Sequence, residues 1–400
     1  MNQLSVKKDR YFHSKKDSYI GITVLLDKNK ILKKIVSLLS DFAFLFFRLF
    51  SLSKRSDNSI ISIISLQRIG DTVFAIPAIS KIVEEFKEKK IFIITFPDTA
   101  LIMELKFPKI EYVILNKDWF FYDRRIANKF SRKLVNKLSS GIIFDLTANV
   151  TSASLIITAG ARIKVGSNLD YYRKAYSHFV PLRNKPHLID LYFDIIEQLI
   201  TIKDRNSLKQ HKVDYNAKDK ILIHPFSIRK SKEWNLRKFI LLAHTLSKNY
   251  NICLISPEGF IEEDIMDEIN RQGIPSVLTA TMEELIEQIK KCALFIGNDT
   301  GPLYIANLLG KPTFTIYGPT NPDFSKPFGD YHRVIRKIIK CSPLVKQYCF
   351  TLGGIYCNSY ECMNGLTFAE VESDIISFIE ILHIDKKLPG ITPRDRRNVI

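Results

Sequence analysis

Cysteine is scarce in this chain: six residues among 400, with no C-x2-C pair. That excludes a disulfide scaffold and gives a structural zinc site little support. The opening MNQLSVKKDR lacks the charged start, apolar stretch and small-residue cleavage site of a signal peptide, which makes a reducing cytoplasm the expected compartment. No short-period repeat, low-complexity tract or nucleic-acid-binding module signature is present, and nucleic acid is not an expected partner. Acidic residues are also in deficit, 42 against 59 basic, for a net charge of +17. Such a balance fits an anionic partner, either a phosphorylated substrate or an acidic membrane surface, or a lysine-rich solvated surface.

What is present reads as a soluble α/β chain. Hydrophobic residues make up 46% and charged residues 25%, and 400 residues exceed one ordinary core, so two domains are expected. Residues 1–55 form an N-terminal extension containing an amphipathic helix at 31–52, ILKKIVSLLSDFAFLFFRLFSL. At helical spacing Ile31, Ile35, Leu38, Leu39, Phe42, Leu45, Phe46 and Leu49 share a wide face, opposite Lys33, Ser37, Ser40, Asp41, Arg48 and Ser51. Four charges (Lys33, Lys34, Asp41, Arg48) argue against a spanning helix. The pattern fits a helix lying in a membrane interface or docked on protein. Lys7, Lys8, Arg10, Lys15 and Lys16 upstream add attraction to anionic lipid.

From Ser59 onward short β-branched runs alternate with helical stretches, the signature of parallel sheets covered on both faces. An N-terminal domain spans 56–203, with strands at 59–66, 91–96, 111–115 and 141–146 and a helix opened by Pro77. The polar, aperiodic segment 204–218 is the expected linker. The C-terminal domain, 219–385, restarts the alternation with strands at 221–226, 252–256, 293–297 and 313–317, and a basic tail follows at 386–400.

Three places could carry chemistry, each beyond the carboxyl end of a strand, where open parallel sheets bind ligands. RIGDT at 68–72 follows the first strand, and Gly70 allows a tight turn that would bring Asp71 to the sheet rim. An aspartate of ordinary pKa, about 3.9, is ionised at neutral pH and can accept a proton from an attacking hydroxyl. HPFSIRKSKEW at 224–234 places Ser227, Arg229, Lys230 and Lys232 after another strand, hydroxyl and cationic groups suited to a diphosphate. Trp234 is expected to pack beneath the following helix. GNDTGPLYIANLLGKPTFTIYGPT at 297–320 reads as turn, helix, turn and strand. Thr300 or Asp299 could cap that helix, Pro302 fits its first turn, and its N-terminal N–H groups suit phosphate.

Taken in order, these motifs resemble glycosyltransferase family 9, the ADP-heptose:lipopolysaccharide heptosyltransferases and their relatives, over residues 59–380. RIGDTVFAIPAI is similar to the family's R-x-G-D-x-x-x-x-x-P motif, DLTANVTSASLI to its second motif, and the stretch from His187 to the helix that ends its first domain. KEWN at 232–235 resembles a Lys-x-Trp-Pro element, and NDTGPLYIANLLGKP…GPTNP the D-T-G-x-x-H-x-x-A…G-x-P…G-x-T-x-P signature. The resemblance implies a GT-B fold, two Rossmann-like domains with parallel sheets facing a cleft. It also implies inverting transfer of a sugar, heptose by default, from a nucleotide-sugar donor such as ADP-heptose. The acceptor would be a lipopolysaccharide core or another lipid-linked glycan, reached from the inner face of the bacterial cytoplasmic membrane by a peripheral protein.

On the matched positions Asp71 would be the general base, and Ser227, Lys232, Asp299, Thr300, Gly301, Pro302 and Tyr304 would hold the donor. Arg68, Gly70, Asn149 and Ser152 are acceptor-side candidates, and the resemblance implies no metal or cofactor. The sequence departs from the family at Tyr304, where histidine is usual; tyrosine donates a hydrogen bond but carries no positive charge. A non-catalytic relative that binds nucleotide sugar, or a GT-B nucleotide-sugar epimerase, are the alternatives.

Overall fold

A computed structural model of the chain describes residues 55–116, 129–168, 170–181, 187–210, 219–349 and 357–386, together with Leu38, Leu39, Phe42, Leu45 and Phe46. It divides into two compact units, Met1–Arg183 with Ile189–Lys203, and Asn184–Leu188 with Asp204–Ile400. The basic N-terminal residues, most of the 31–52 helix, residues 211–218 of the expected linker and the tail beyond 386 lie outside the described residues. The five described residues of the 31–52 segment are helical and exposed.

The first unit carries strands β1 (Asp57–Ile64), β2 (Lys90–Thr95), β3 (Glu111–Ile114), β4 (Ser140–Asp145), β5 (Ile163–Asn168) and β6 (His178–Pro181). They form one sheet in the order β3-β2-β1-β4-β5-β6, every pair parallel. The second unit carries β7 (Lys220–His224), β8 (Asn251–Pro257), β9 (Ser276–Thr279), β10 (Leu294–Asn298), β11 (Thr313–Tyr317) and β12 (His332–Arg336). Its sheet, also all parallel, runs β12-β11-β10-β7-β8-β9. Counted from its own first strand, each sheet has the order 3-2-1-4-5-6 of a Rossmann domain.

Burial explains why these runs are strands. The end of β1 and all of β4, β10 and β11 are buried on both faces, as central strands of a helix-covered parallel sheet require. In the second unit Trp234, Phe239, Ile240 and Ala243 pack with Ile221, Ile223, Phe314 and Met363. Trp234 is fully buried, edge-on to Phe239 with ring centroids 5.0 Å apart, beneath the helix Leu236–Ser247 as expected.

One expectation is corrected. The first long helix begins at Ile69, not at Pro77, and runs to Glu85. RIGDT is therefore a helix start rather than a free turn, and Gly70 is helical. Pro77 sits in the buried interior of the helix, where its missing N–H removes one hydrogen bond. The buried residues around it, Val73, Phe74, Ile76, Ala78 and Ile79, hold the helix against the core across that gap.

Candidate functional site

The reversal of strand order puts the crevice of each sheet between its first and fourth strands, β1 and β4 in one unit and β7 and β10 in the other. The motif-bearing segments follow these four strands.

In the first unit Asp71 occupies the first turn of the helix Ile69–Glu85, half-buried, where the helix dipole favours negative charge. Arg68, the N-cap, is exposed and makes no side-chain cap hydrogen bond. The approach to this helix is pinned from two sides. Gln67 Nε2 donates to the Leu146 carbonyl at 2.5 Å and to the Tyr192 hydroxyl at 2.9 Å. Leu66 N donates to Thr147 Oγ1 at 2.8 Å. Burial, reinforced by the Asp71 charge, holds the Tyr192 phenol well above its ordinary pKa, so it stays a neutral donor beside that carboxylate. Gln67 and Tyr192 were not singled out in the sequence, because their meeting depends on a helix more than a hundred residues downstream.

The same unit holds a fully buried carboxyl group. Asp145, at the end of β4, accepts from the backbone N–H groups of Thr147 (3.0 Å) and Ala148 (3.3 Å) and from the Tyr176 hydroxyl (2.7 Å). Burial raises its pKa to about 6 even though these donors oppose the shift. Ala148 has φ of +55°, a left-handed conformation that the Asp145 hydrogen bond helps to hold. Gly166 on β5 lets the Tyr176 ring lie against the strand, since an added Cβ would come within 2.3 Å of it. Asn149 and Ser152 form a reciprocal capping box at the helix Val150–Ile156, so their side chains serve the backbone there.

The second unit gathers more charge. Lys232 lies in a short 3-10 turn after β7, and its ammonium pairs with the carboxylate of Asp299, just past β10. The Asp299 side chain is 4% exposed and that of Lys232 16%. Asp299 also accepts from Thr320 Oγ1 at 2.7 Å and from the Tyr304 hydroxyl. Burial alone would raise the Asp299 pKa, but the Lys232 charge and the three donors turn the shift downward, and the group is an anion. Asn298, fully buried, ties the two loops together: its Oδ1 accepts from Trp234 N (3.0 Å) and its Nδ2 donates to the Pro225 carbonyl (2.8 Å).

Ser227 turns its hydroxyl to the Arg229 N–H at 3.1 Å, and its own N–H faces Glu233 at 3.4 Å. Thr300 is the N-cap of the helix Gly301–Leu308, with Pro302 in the first turn. The expected cap is corrected: neither Thr300 nor Asp299 caps with its side chain, because the Asp299 carboxylate is turned to Lys232, Tyr304 and Thr320. Tyr304 is 5% exposed, its hydroxyl inside the network rather than at the surface.

All six cysteines are free thiols. Among the described residues no group of three or more histidine, cysteine or acidic side chains is arranged to hold a metal ion, and no helix is long and apolar enough to cross a membrane.

Two Rossmann-ordered units with an aspartate at one crevice and a lysine beside a helix N-terminus at the other make up the GT-B fold of a glycosyltransferase. The family model described as glycosyltransferase family 9 (heptosyltransferase) matches residues 129–353, more than half of the chain. The chain belongs to glycosyltransferase family 9. It is 26% identical over 302 residues to lipooligosaccharide heptosyltransferase 2 of Campylobacter jejuni, covering 70% of this chain and 88% of that protein. It is 26% identical over 290 residues to lipopolysaccharide heptosyltransferase 3 of Escherichia coli, covering 65% and 84%. Among solved structures, a family 9 glycosyltransferase from Veillonella parvula superposes with a TM-score of 0.62 at 18% identity, covering 83% of this chain and 99% of that one. The E. coli heptosyltransferase WaaC with ADP superposes at 0.59 and 16% identity, covering 81% and 99%.

Proposed function

We propose that this glycosyltransferase moves a sugar, heptose, from ADP-heptose to a lipopolysaccharide core or another lipid-linked glycan, with inversion at the anomeric carbon. The observation that carries the reading is the placement of Lys232, Asp299 and the start of the helix Gly301–Leu308 together at the crevice of the second sheet. Backbone N–H groups at Gly301 and its neighbours, with the Lys232 ammonium, suit a diphosphate. The names of the relatives support the heptose and the lipopolysaccharide acceptor.

In the reaction an acceptor oxygen attacks the anomeric carbon as the bond to the diphosphate oxygen breaks. The acceptor proton passes to the Asp71 carboxylate, and the electron pair leaves with the nucleoside diphosphate. Tyr192 and Gln67 hold the approach to Asp71 in place. Lys232 and the helix N-terminus stabilise charge developing on the leaving group. Arg68, which is exposed, is available to an anionic acceptor. The exposed apolar residues Leu38, Leu39, Phe42, Leu45 and Phe46 and the basic net charge support peripheral attachment to the inner face of the cytoplasmic membrane, where such an acceptor resides.

The test is nucleotide release from ADP-, UDP-, GDP- and TDP-sugars, with and without a lipopolysaccharide-core acceptor, for wild type and Asp71→Ala. Acceptor-dependent ADP release from ADP-heptose, lost in Asp71→Ala, is the expected result. Release without acceptor points to an epimerase or hydrolase. Nucleotide binding without release from any donor, with or without acceptor, identifies a non-catalytic relative.

A further inference from the structure

The ammonium that the proposed reaction needs is already engaged. Lys232 pairs with Asp299, and its Nζ also lies 3.4 Å from the Asp299 carbonyl oxygen. If a diphosphate draws the ammonium away, it uncovers a carboxylate that is 4% exposed, and a buried unpaired charge is strongly unfavourable. Each carboxylate oxygen, however, has a neutral hydrogen-bond donor of its own. Thr320 Oγ1 donates to Oδ2, the oxygen that Lys232 holds, and the Tyr304 hydroxyl donates to Oδ1.

Counting hydrogens fixes this assignment. Tyr304 and Tyr317 have one hydroxyl hydrogen each, and Ser325 offers one carbonyl oxygen to both, at 2.9 Å and 2.8 Å. Among the described residues Tyr317 has no acceptor other than Ser325 and the Tyr304 oxygen at 3.2 Å. Its hydrogen therefore satisfies Ser325, and that of Tyr304 is left for Asp299. Burial, then the Asp299 charge and the neighbouring hydroxyl, hold the Tyr304 phenol well above its ordinary pKa, so it stays a neutral donor. The remaining neighbours of the carboxylate, Thr320 and Tyr317, are neutral as well.

We propose that Tyr304 is a positioning residue, one that with Thr320 keeps the Asp299 carboxylate satisfied so that Lys232 can transfer its charge from Asp299 to the donor's diphosphate. This rests on the donor site proposed above and adds a division of labour within it. Asp299 parks the ammonium before the donor arrives, and two neutral hydroxyls take over when it leaves. A histidine at position 304, as the family usually has, could add a second positive charge to this arrangement; tyrosine keeps the exchange one cation against one anion.

The experiment is calorimetric titration of the full chain with ADP and with inorganic pyrophosphate, comparing wild type, Tyr304→Phe, Thr320→Val, Asp299→Asn and Tyr304→Phe/Asp299→Asn. Tyr304→Phe keeps the ring and removes only the donor, and it is expected to weaken both ligands about tenfold, because Asp299 then holds Lys232 more tightly. Thr320→Val acts on the other oxygen in the same direction. In the Asp299→Asn background there is no anion to neutralise, and adding Tyr304→Phe should change binding less than about twofold. A merely structural tyrosine would lose the same factor in both backgrounds, and that outcome overturns the proposal. So does unaltered binding by Tyr304→Phe. If Tyr304→Phe fails to fold, Thr320→Val with and without Asp299→Asn gives the same comparison. Wild type that binds neither ADP nor pyrophosphate overturns the donor-site reading, and this proposal with it.

Discussion

The two units share one strand order but stabilise their crevices by opposite means. In the first, the loops after β1 and β4 are joined by neutral partners, Gln67 to Leu146 and Leu66 to Thr147, Gln67 also reaches Tyr192, and a buried carboxyl group of raised pKa, Asp145, ends β4. In the second, the loops after β7 and β10 are joined by a buried ion pair, Lys232 with Asp299, and by the amide of Asn298. The difference fits the chemistry proposed for each side. A general base has to be held in place, whereas a diphosphate site needs a cation in reserve.

The sharpest way to break this contrast is to neutralise one side at a time. Asp71→Asn is expected to lower turnover by about a thousandfold while leaving ADP affinity unchanged, as measured by initial rates and calorimetry. An equal loss of ADP binding would mean that the first unit also holds the donor. Lys232→Met should lower kcat by about a hundredfold or more and weaken ADP binding. It should also reduce stability by roughly 3 kcal/mol, because the hydroxyls of Thr320 and Tyr304 then satisfy the hydrogen-bonding of the buried Asp299 carboxylate but do not neutralise its charge. Adding Asp299→Asn should restore the midpoint of urea unfolding but not turnover.

A third test separates the units by pH. Asp145 has a folded-state pKa raised from 3.8 to about 6, so the native state holds its proton more tightly than the unfolded chain does. Its contribution therefore falls as pH rises through the window from 3.8 to 6, by on the order of 3 kcal/mol, and is constant above it. Asp145→Asn should remove that slope from denaturant titrations run across the window. The Lys232–Asp299 pair has the opposite sign: its lowered carboxyl pKa gives stability that is lost on acidification through the folded-state value. The smallest effect is expected from Asn149→Ala, about 1 kcal/mol of stability from the lost cap, with ADP binding unaltered. A raised acceptor KM in that variant would show that Asn149 also meets the acceptor.

Much of the fold is legible because the central strands are β-branched runs buried on both faces, and SIISIISL, ILIHPF and TFTIY announce themselves. The strands that escape notice are β5, β6, β9 and β12. HFVP, SVLT and HRVIR lie at sheet edges and are largely half-exposed, so nothing forces an apolar run. β5, IKVGSN, buries a lysine and a glycine whose reasons lie elsewhere: Lys164 reaches the Ile157 carbonyl, and Gly166 makes room for Tyr176. The early helix start was hidden by Pro77, which reads as a first-turn residue unless the surrounding burial is known. At the candidate site, Lys232 and Asp299 are visible as motif residues, but their pairing across 67 positions is not. The network of Tyr304 with Thr320, Tyr317 and Ser325 depends on the return of the chain through β11, which no local pattern encodes.

The Lys232–Asp299 pair also sets how the site looks from a distance. A cation and an anion in contact present a dipole, whose field falls off faster than that of a single charge, so an incoming nucleotide sugar senses little of Lys232 until it is nearly seated. Long-range attraction must then come from the surplus of 17 positive charges spread over the chain, and that field is screened beyond about 8 Å at physiological salt. Added salt should therefore slow donor association while leaving the lifetime of the bound complex almost unaltered, so capture and retention of the donor answer to different parts of the molecule.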